Sequence, residues 1–204
     1  ERDAGILATM VVGDREFLDA ETKRLYQIGG LSHILAISGL HISVIGMALY
    51  RMLKKAGLPF GMAALVAAGV MYGYGGMAGW GVSVRRAVLM FLLFLGAQVI
   101  GRSYDTFCAL AFAAVALLWK NPCLFWDAGF RFSFVAILGV VWVGQSISYE
   151  KKGMGALRGK IFAASAVWFT TLPLVAWYFY EIPVYAVFVN LLMLPMMGVL
   201  LGFG

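Results

Sequence analysis

Two histidines, two serines and a glycine interrupt an otherwise apolar stretch near the start of the chain. Residues 33–43 read HILAISGLHIS and include His33, Ser38, Gly39 and His41. At about 100° per helical residue, His33, Ser38 and His41 share one broad face, while Gly39 lies opposite with other small residues. Small residues let a second helix approach closely, and polar residues inside a bilayer usually serve a function. The pattern predicts a helix that lines a pore or pocket and packs through its small face.

The same polar residues also have structural alternatives. A serine in a membrane helix often bonds to a carbonyl one turn back, and a histidine can donate a hydrogen bond to a neighbouring helix. A metal site is not expected, because His33 and His41 stand eight positions apart and no second acid accompanies Asp127. For Ser38 and His41, no oxyanion hole or orienting acid can be assigned. We therefore expect neither an enzyme nor a cofactor site in this domain.

A pair of arginines opens a later apolar run, in the segment SVRRAVLM. Arg85 and Arg86 are about 100° apart on a helix, so one can reach the interface while the other points into the bundle. A guanidinium inside a bundle can hold phosphate through forked, charge-assisted hydrogen bonds. The sequence predicts a phosphate contact here, and a structural salt bridge to Asp127 is the alternative.

The segment NPCLFWDAGFRFSF, residues 121–134, carries Asp127 and Arg131 into another apolar run. Their i, i+4 spacing favours an ion pair if the intervening residues are helical. Arg131 is a further candidate for phosphate contact. A carboxylate near several arginines is expected to organise those arginines, which is the role predicted for Asp127.

Two prolines fall inside the last two apolar runs. Pro173 and Pro195 each remove one intrahelical hydrogen bond and free the carbonyl four residues earlier, at Phe169 and Leu191. Paired breaks in membrane helices point to a substrate path, and Asn190 lies next to one of the freed carbonyls. Plain kinks accommodated by neighbouring helices are the alternative.

The composition predicts an all-α, polytopic transmembrane bundle. Hydrophobic residues make up 62% of the chain and charged residues 13%. Runs such as VLMFLLFLGAQVI do not alternate between polar and apolar residues, which excludes barrel strands. About seven spans are expected, at 30–50, 58–71, 84–100, 106–119, 132–149, 161–180 and 184–204. A glycine-rich stretch, residues 72–81, is expected to join the second and third as a flexible or tightly folded loop.

A mixed segment precedes the first span. Residues 13–30 combine charged with apolar side chains, which predicts an amphipathic helix on the membrane surface or, equally, one packed on a soluble domain. No signal peptide is visible, and apolar runs at both ends look cut. We expect residues 1–204 to form one membrane domain of a larger protein.

Positive charge indicates the orientation. Clusters of lysine and arginine follow the first, third and fifth runs, and simple alternation places these clusters on one side, which holds eight bases and two acids. The positive-inside rule makes that side, including the loops at 51–57 and 150–160, cytoplasmic. The net charge of +6 is thereby explained without nucleic acid. Tryptophan and tyrosine concentrate at the outer ends, as an aromatic belt or as stacking platforms for bases.

Several ordered motifs resemble one known family. GGLSHILAISGLHIS, SVRRAVLM, DAGFRFSF with AILG, TTLPLVAWYF and VNLLMLP occur in that order over residues 13–200. This order resembles the competence domain of the ComEC family, the inner-membrane channels for DNA uptake. By motif position, the resemblance implies signature roles for these residues: His33, Ser38, Gly39, His41, Arg86, Ala87, Asp127, Gly129, Phe130, Ser133, Pro173, Asn190 and Pro195. Arg131 and Phe132 depart from the family pattern, which more often has glutamine and leucine.

The resemblance implies a channel that passes single-stranded DNA into the cytoplasm. Six residues are expected to line this channel or to serve as structural polar residues: His33, Ser38, Gly39, His41, Ser133 and Asn190. The resemblance also implies that the protein acts together with a DNA receptor and with a cytoplasmic helicase or single-strand-binding proteins. OB-like and nuclease domains often accompany such a domain and are absent from these 204 residues. The alternative is a secondary transporter or channel for a small anionic solute. Internal repeats are typical of transporters, and none is evident here.

Overall fold

The computed structural model describes residues 39–149 and 156–180. This part of the chain consists of helices and short connections, without a β-strand, which confirms the all-α prediction. The six α-helices are α1 (Gly39–Lys55), α2 (Phe60–Met77), α3 (Val82–Ile100), α4 (Thr106–Lys120), α5 (Ala128–Tyr149) and α6 (Ala156–Phe179). A 3-10 turn, Pro122–Trp126, stands between α4 and α5.

The chain divides into two compact units within α4, between Leu117 and Leu118. The first unit holds α1, α2, α3 and most of α4. The second holds the end of α4, the 3-10 turn, α5 and α6. The single membrane domain expected over residues 1–204 stays a prediction.

A ridge of mostly small buried residues on α2 lies in the core of the first unit. Helix α2 buries Ala63, Ala67, Met71 and Gly75, which recur every four residues and therefore form one ridge along the helix. Such a ridge lets helices approach closely, and α1, α2 and α3 all pack against one another. On α1, the predicted small face is realised at Gly46, where a Cβ atom would come within 2.8 Å of the Phe91 ring.

The glycine-rich stretch is mostly helix rather than loop. The second run was expected to end near residue 71, yet α2 continues to Met77. The chain then reverses through Gly79 and Trp80, whose φ angles are +74° and +51°. The Trp80 ring folds back onto Gly75, where a Cβ atom would lie 3.1 Å away. The glycine therefore makes room for the tryptophan that closes the turn.

In the second unit, α5 and α6 pack against each other at a glycine. A Cβ atom at Gly139 would collide with the Thr170 hydroxyl and lie 3.1 Å from the Ala166 carbonyl oxygen. The Thr170 hydroxyl donates to that same carbonyl at 2.8 Å. The Thr170 hydroxyl thus has its hydrogen-bond acceptor within α6, and its side chain packs against α5 at Gly139.

Two of the described helices, α2 and α3, are long and apolar enough to cross a bilayer. Helix α4 and residues 128–142 of α5 are shorter apolar helices. Many large apolar side chains point outward, including Leu65 and Val115, as expected for helices solvated by lipid. The seventh run and the amphipathic segment at 13–30 lie outside the described residues, so the count of seven spans stays a prediction.

Candidate functional site

The predicted site residues are only partly within the described chain. Four of them lie outside it: His33, Ser38, Asn190 and Pro195. Gly39 and His41 lie in the first turn of α1. The polar lining predicted from these residues therefore stays a prediction.

Arg85 and Arg86 separate as their spacing predicts. Both lie in the first turn and a half of α3, one of the two helices able to span a membrane. Arg85 is exposed, whereas Arg86 is buried with 5% of its surface exposed. Burying a guanidinium costs several kcal/mol before partners offset that cost. Arg86 is the one charged residue among the buried side chains of the described chain.

Asp127 directly precedes helix α5. Its Oδ1 atom accepts the Phe130 backbone N–H at 2.9 Å, and its carbonyl oxygen accepts the Arg131 backbone N–H at 3.1 Å. This is the geometry of a helix N-cap, which satisfies donors that would otherwise lack partners. Gly129 fits here because a Cβ atom would come within 3.0 Å of Oδ1.

The ion pair predicted between Asp127 and Arg131 is wrong. The Arg131 Nε atom donates to the Phe125 carbonyl oxygen at 2.8 Å. Its guanidinium carbon lies 4.7 Å from the centre of the Trp126 ring and 5.3 Å from that of Phe125. Helical side chains lean toward the N-terminus, so Arg131 reaches back over the 3-10 turn instead of meeting the carboxylate that caps the helix.

Two further predicted residues lie in α5 and α6. Ser133 is half-buried in α5, and Pro173 is exposed inside α6, which continues to Phe179. Before the proline, the Thr170 and Thr171 hydroxyls bond to the Ala166 and Val167 carbonyl oxygens. These bonds lie in the turn before Pro173 and do not reach the Phe169 carbonyl oxygen, which Pro173 leaves without its backbone donor.

The second unit brings Asp127 and Arg131 together around the 3-10 turn. Arg85 and Arg86 belong to the first unit, so the alternative salt bridge to Asp127 and its organising role stay predictions. Sequence reasoning did not single out Phe125 or Trp126 as partners of Arg131. The available signal was an arginine in the first turn after an aspartate cap, with two aromatic residues just before that cap.

The α3–α4 connection holds a carboxylate with a lowered pKa. Asp105 Oδ1 accepts the Phe107 backbone N–H at 2.9 Å, and Oδ2 accepts the Cys108 thiol at 3.3 Å. The backbone hydrogen bond is the main reason that the pKa of Asp105 lies below its ordinary value of 3.8. Burial, and secondarily this negative charge, raises the pKa of the adjacent Tyr104. Asp105 therefore acts as the N-cap of α4.

Comparison with known proteins identifies the family. The family model described as "Competence protein" matches residues 10–204. The chain belongs to the Competence protein family. The resemblance to the ComEC competence domain is thereby confirmed.

Relatives in this family share modest identity over most of the chain. ComE operon protein 3 of Bacillus subtilis is 27% identical over 191 residues, which is 94% of this chain and 24% of that protein. Competence protein ComA of Neisseria gonorrhoeae is 28% identical over 200 residues, 94% of this chain and 28% of that protein. The chain thus spans about a quarter of the length of these relatives. No solved structure matches it.

Proposed function

We propose that this chain takes part in DNA uptake during competence, as part of a channel that passes single-stranded DNA across the inner membrane. Family membership and the names of the relatives support the role in competence. Two helices able to span a bilayer and outward-facing apolar side chains support a membrane location. The chain acts here by binding and conducting, with no catalytic step and no cofactor assigned to it.

The observation that carries this proposal is the buried Arg86. Ionisable side chains inside membrane helices are costly and mark substrate pathways. A guanidinium offers five donors in a planar fork that matches a phosphate group. A single strand presents one such phosphate per nucleotide, so each phosphate can replace the last as the strand advances. Conduction also requires weak contacts further along, a role we assign to His33, Ser38, His41 and Asn190.

Arg86→Gln tests the proposal in cells, with Arg85→Gln as the matched control from the same helical turn. Loss of one charge-assisted contact corresponds to about a tenfold to hundredfold fall in occupancy. Uptake of labelled DNA should fall by a comparable factor in Arg86→Gln at unchanged membrane abundance. Arg85→Gln should change uptake less, because the exposed side chain of Arg85 lies outside the packed interior of the bundle, where the phosphate contact is proposed. Equal uptake by wild type and Arg86→Gln would reject the phosphate contact.

A buried arginine also suits a small anion, so the same cells should be tested for anion flux. The channel proposal requires DNA uptake to depend on the gene while uptake of small anions such as phosphate does not. The reverse result would favour a transporter for an anionic solute.

A further inference from the structure

An exposed tryptophan and a fixed arginine stand together beside the 3-10 turn. The Trp126 side chain is 74% exposed, and the Arg131 guanidinium lies over its ring at 4.7 Å from the centre. A guanidinium covers only part of one face of an indole, so a wide aromatic surface remains accessible. Large exposed aromatic surface next to a positive charge is the composition of single-strand binding sites.

The backbone around this pair is held at several points. Arg131 Nε donates to the Phe125 carbonyl oxygen, and the Tyr178 hydroxyl donates to the Trp126 carbonyl oxygen at 3.4 Å. Asp127 caps the following helix. The Trp126 and Arg131 side chains therefore extend from an ordered support. Less ordering entropy is then lost when a planar ligand stacks there than on an unsupported loop.

We propose that Trp126 and Arg131 form a stacking site for one unpaired base of a single strand and its adjacent phosphate. This inference rests on the proposed function and adds a preference for unpaired over paired DNA. The indole can stack on a base whose face is free, whereas both faces of a base inside a duplex are covered. Arg131 uses one N–H on the Phe125 carbonyl, and its terminal N–H groups are suited to a phosphate oxygen.

Single-strand binding by the full-length protein in lipid nanodiscs tests this site. The ligands are a fluorescent oligothymidine, an abasic strand of equal length and a hairpin duplex. Trp126→Leu should weaken oligothymidine binding about tenfold, the effect of losing one base stack, and leave abasic binding unchanged. Arg131→Gln should weaken both strands and reduce the salt dependence of binding by about 0.7 in log–log slope, one phosphate contact.

Trp119→Leu is the matched control. Trp119 is 87% exposed at the end of α4, so its replacement removes an equally accessible indole without an arginine stack. Its oligothymidine affinity should equal that of wild type.

A crosslinking measurement needs no variant. Strands that carry 5-iodouracil should photo-crosslink to the wild-type protein within residues 122–131, at Trp126.

The outcomes separate the inference from the function. If wild type binds oligothymidine and Trp126→Leu binds it equally well, the stacking site is wrong and the channel proposal stands. If wild type fails to bind any single strand, the proposed function itself fails. If Trp126→Leu leaves the membrane or unfolds and no crosslink reaches Trp126, the tryptophan is an interfacial anchor and the inference is overturned.

Discussion

Asp127 illustrates how a backbone requirement can outweigh an expected charge pair. The spacing to Arg131 favoured an ion pair, but the carboxylate bonds to the Phe130 N–H and the guanidinium bonds to the Phe125 carbonyl. The first N–H groups of a helix have no partner within the helix, so an aspartate just before it is drawn to them. The sequence held both signals, and the choice between them depended on where α5 begins.

Replacing Asp127 separates its capping role from its charge. Asp127→Ala removes the cap and should destabilise the protein by about 0.5–2 kcal/mol. Asp127→Asn keeps an acceptor oxygen for the Phe130 N–H and should retain most of that stability. Thermal unfolding of the purified protein in detergent measures both.

The asparagine variant then reports on the predicted organiser role. If the negative charge of Asp127 organises arginines, Asp127→Asn should lower DNA uptake at unchanged stability. If uptake is unchanged in this variant, the cap is the whole contribution of Asp127 and the organiser role is wrong.

Arg85 and Arg86 show what helical geometry alone can predict. Two adjacent residues lie about 100° apart on a helix. In a helix with one lipid-facing side, the two side chains therefore differ in how deeply they are buried. The sequence predicted that one would reach outward and one inward, and the packing of α1 and α2 against α3 decides which. That choice depends on contacts between distant residues, which a single sequence does not display.

The contact between α5 and α6 at Gly139 leaves no space for a larger side chain. Gly139→Ala would force the new methyl group against Thr170 and the Ala166 carbonyl oxygen. Overpacking of this kind costs about 1–3 kcal/mol. Gly96→Ala is the matched control, because Gly96 lies inside α3 with open space around it. Unfolding in detergent should show a loss for Gly139→Ala and none for Gly96→Ala. Equal stability of the two variants would contradict the tight contact.

Helix α4 should lose part of its stability in acid. The pKa of Asp105 is lowered in the folded protein, chiefly by the Phe107 N–H. The ionised form therefore stabilises the fold above the ordinary value of 3.8, and this contribution disappears as the pH falls through the lowered pKa. Asp105→Asn keeps an acceptor but cannot titrate. The stability of wild type relative to Asp105→Asn should decrease below about pH 4, and a constant difference would contradict the cap.

The residues at which helices end were harder to predict from the sequence than the presence of the helices. The second apolar run was expected to end near residue 71, but α2 extends through Gly73, Gly75 and Gly76 to Met77. Glycine usually weakens a helix, whereas in this bundle Gly75 provides the space that Trp80 occupies. The benefit comes from a residue beyond the turn, which explains why local composition gave the wrong end point.

For the whole molecule, the charge distribution predicts an orientation that can be tested. The lysines at the end of α1 and Arg102 after α3 are both on the side predicted to be cytoplasmic. That orientation puts the 3-10 turn and the Trp126–Arg131 pair on the outer side, where incoming DNA would first meet the protein. The stacking site and the orientation therefore depend on each other.

The two natural cysteines test this orientation. Cys108 lies near the start of α4 and Cys123 just beyond its end, and both thiols are free and exposed. If α4 crosses the membrane in the predicted sense, a membrane-impermeant maleimide added to intact spheroplasts should label Cys123 in the Cys108→Ser variant. It should not label Cys108 in the Cys123→Ser variant until the cells are permeabilised.

Because the Cys108 thiol bonds to Asp105 and can be shielded by lipid, a second reporter is needed at that end. Ser103→Cys, placed in a protein lacking both natural cysteines, puts an exposed thiol in the α3–α4 connection. It should react only after permeabilisation. Labelling of both ends in intact spheroplasts would mean that α4 does not cross the membrane. Labelling of position 103 alone would invert the orientation and place Trp126 and Arg131 in the cytoplasm, where they would meet the strand as it leaves the channel.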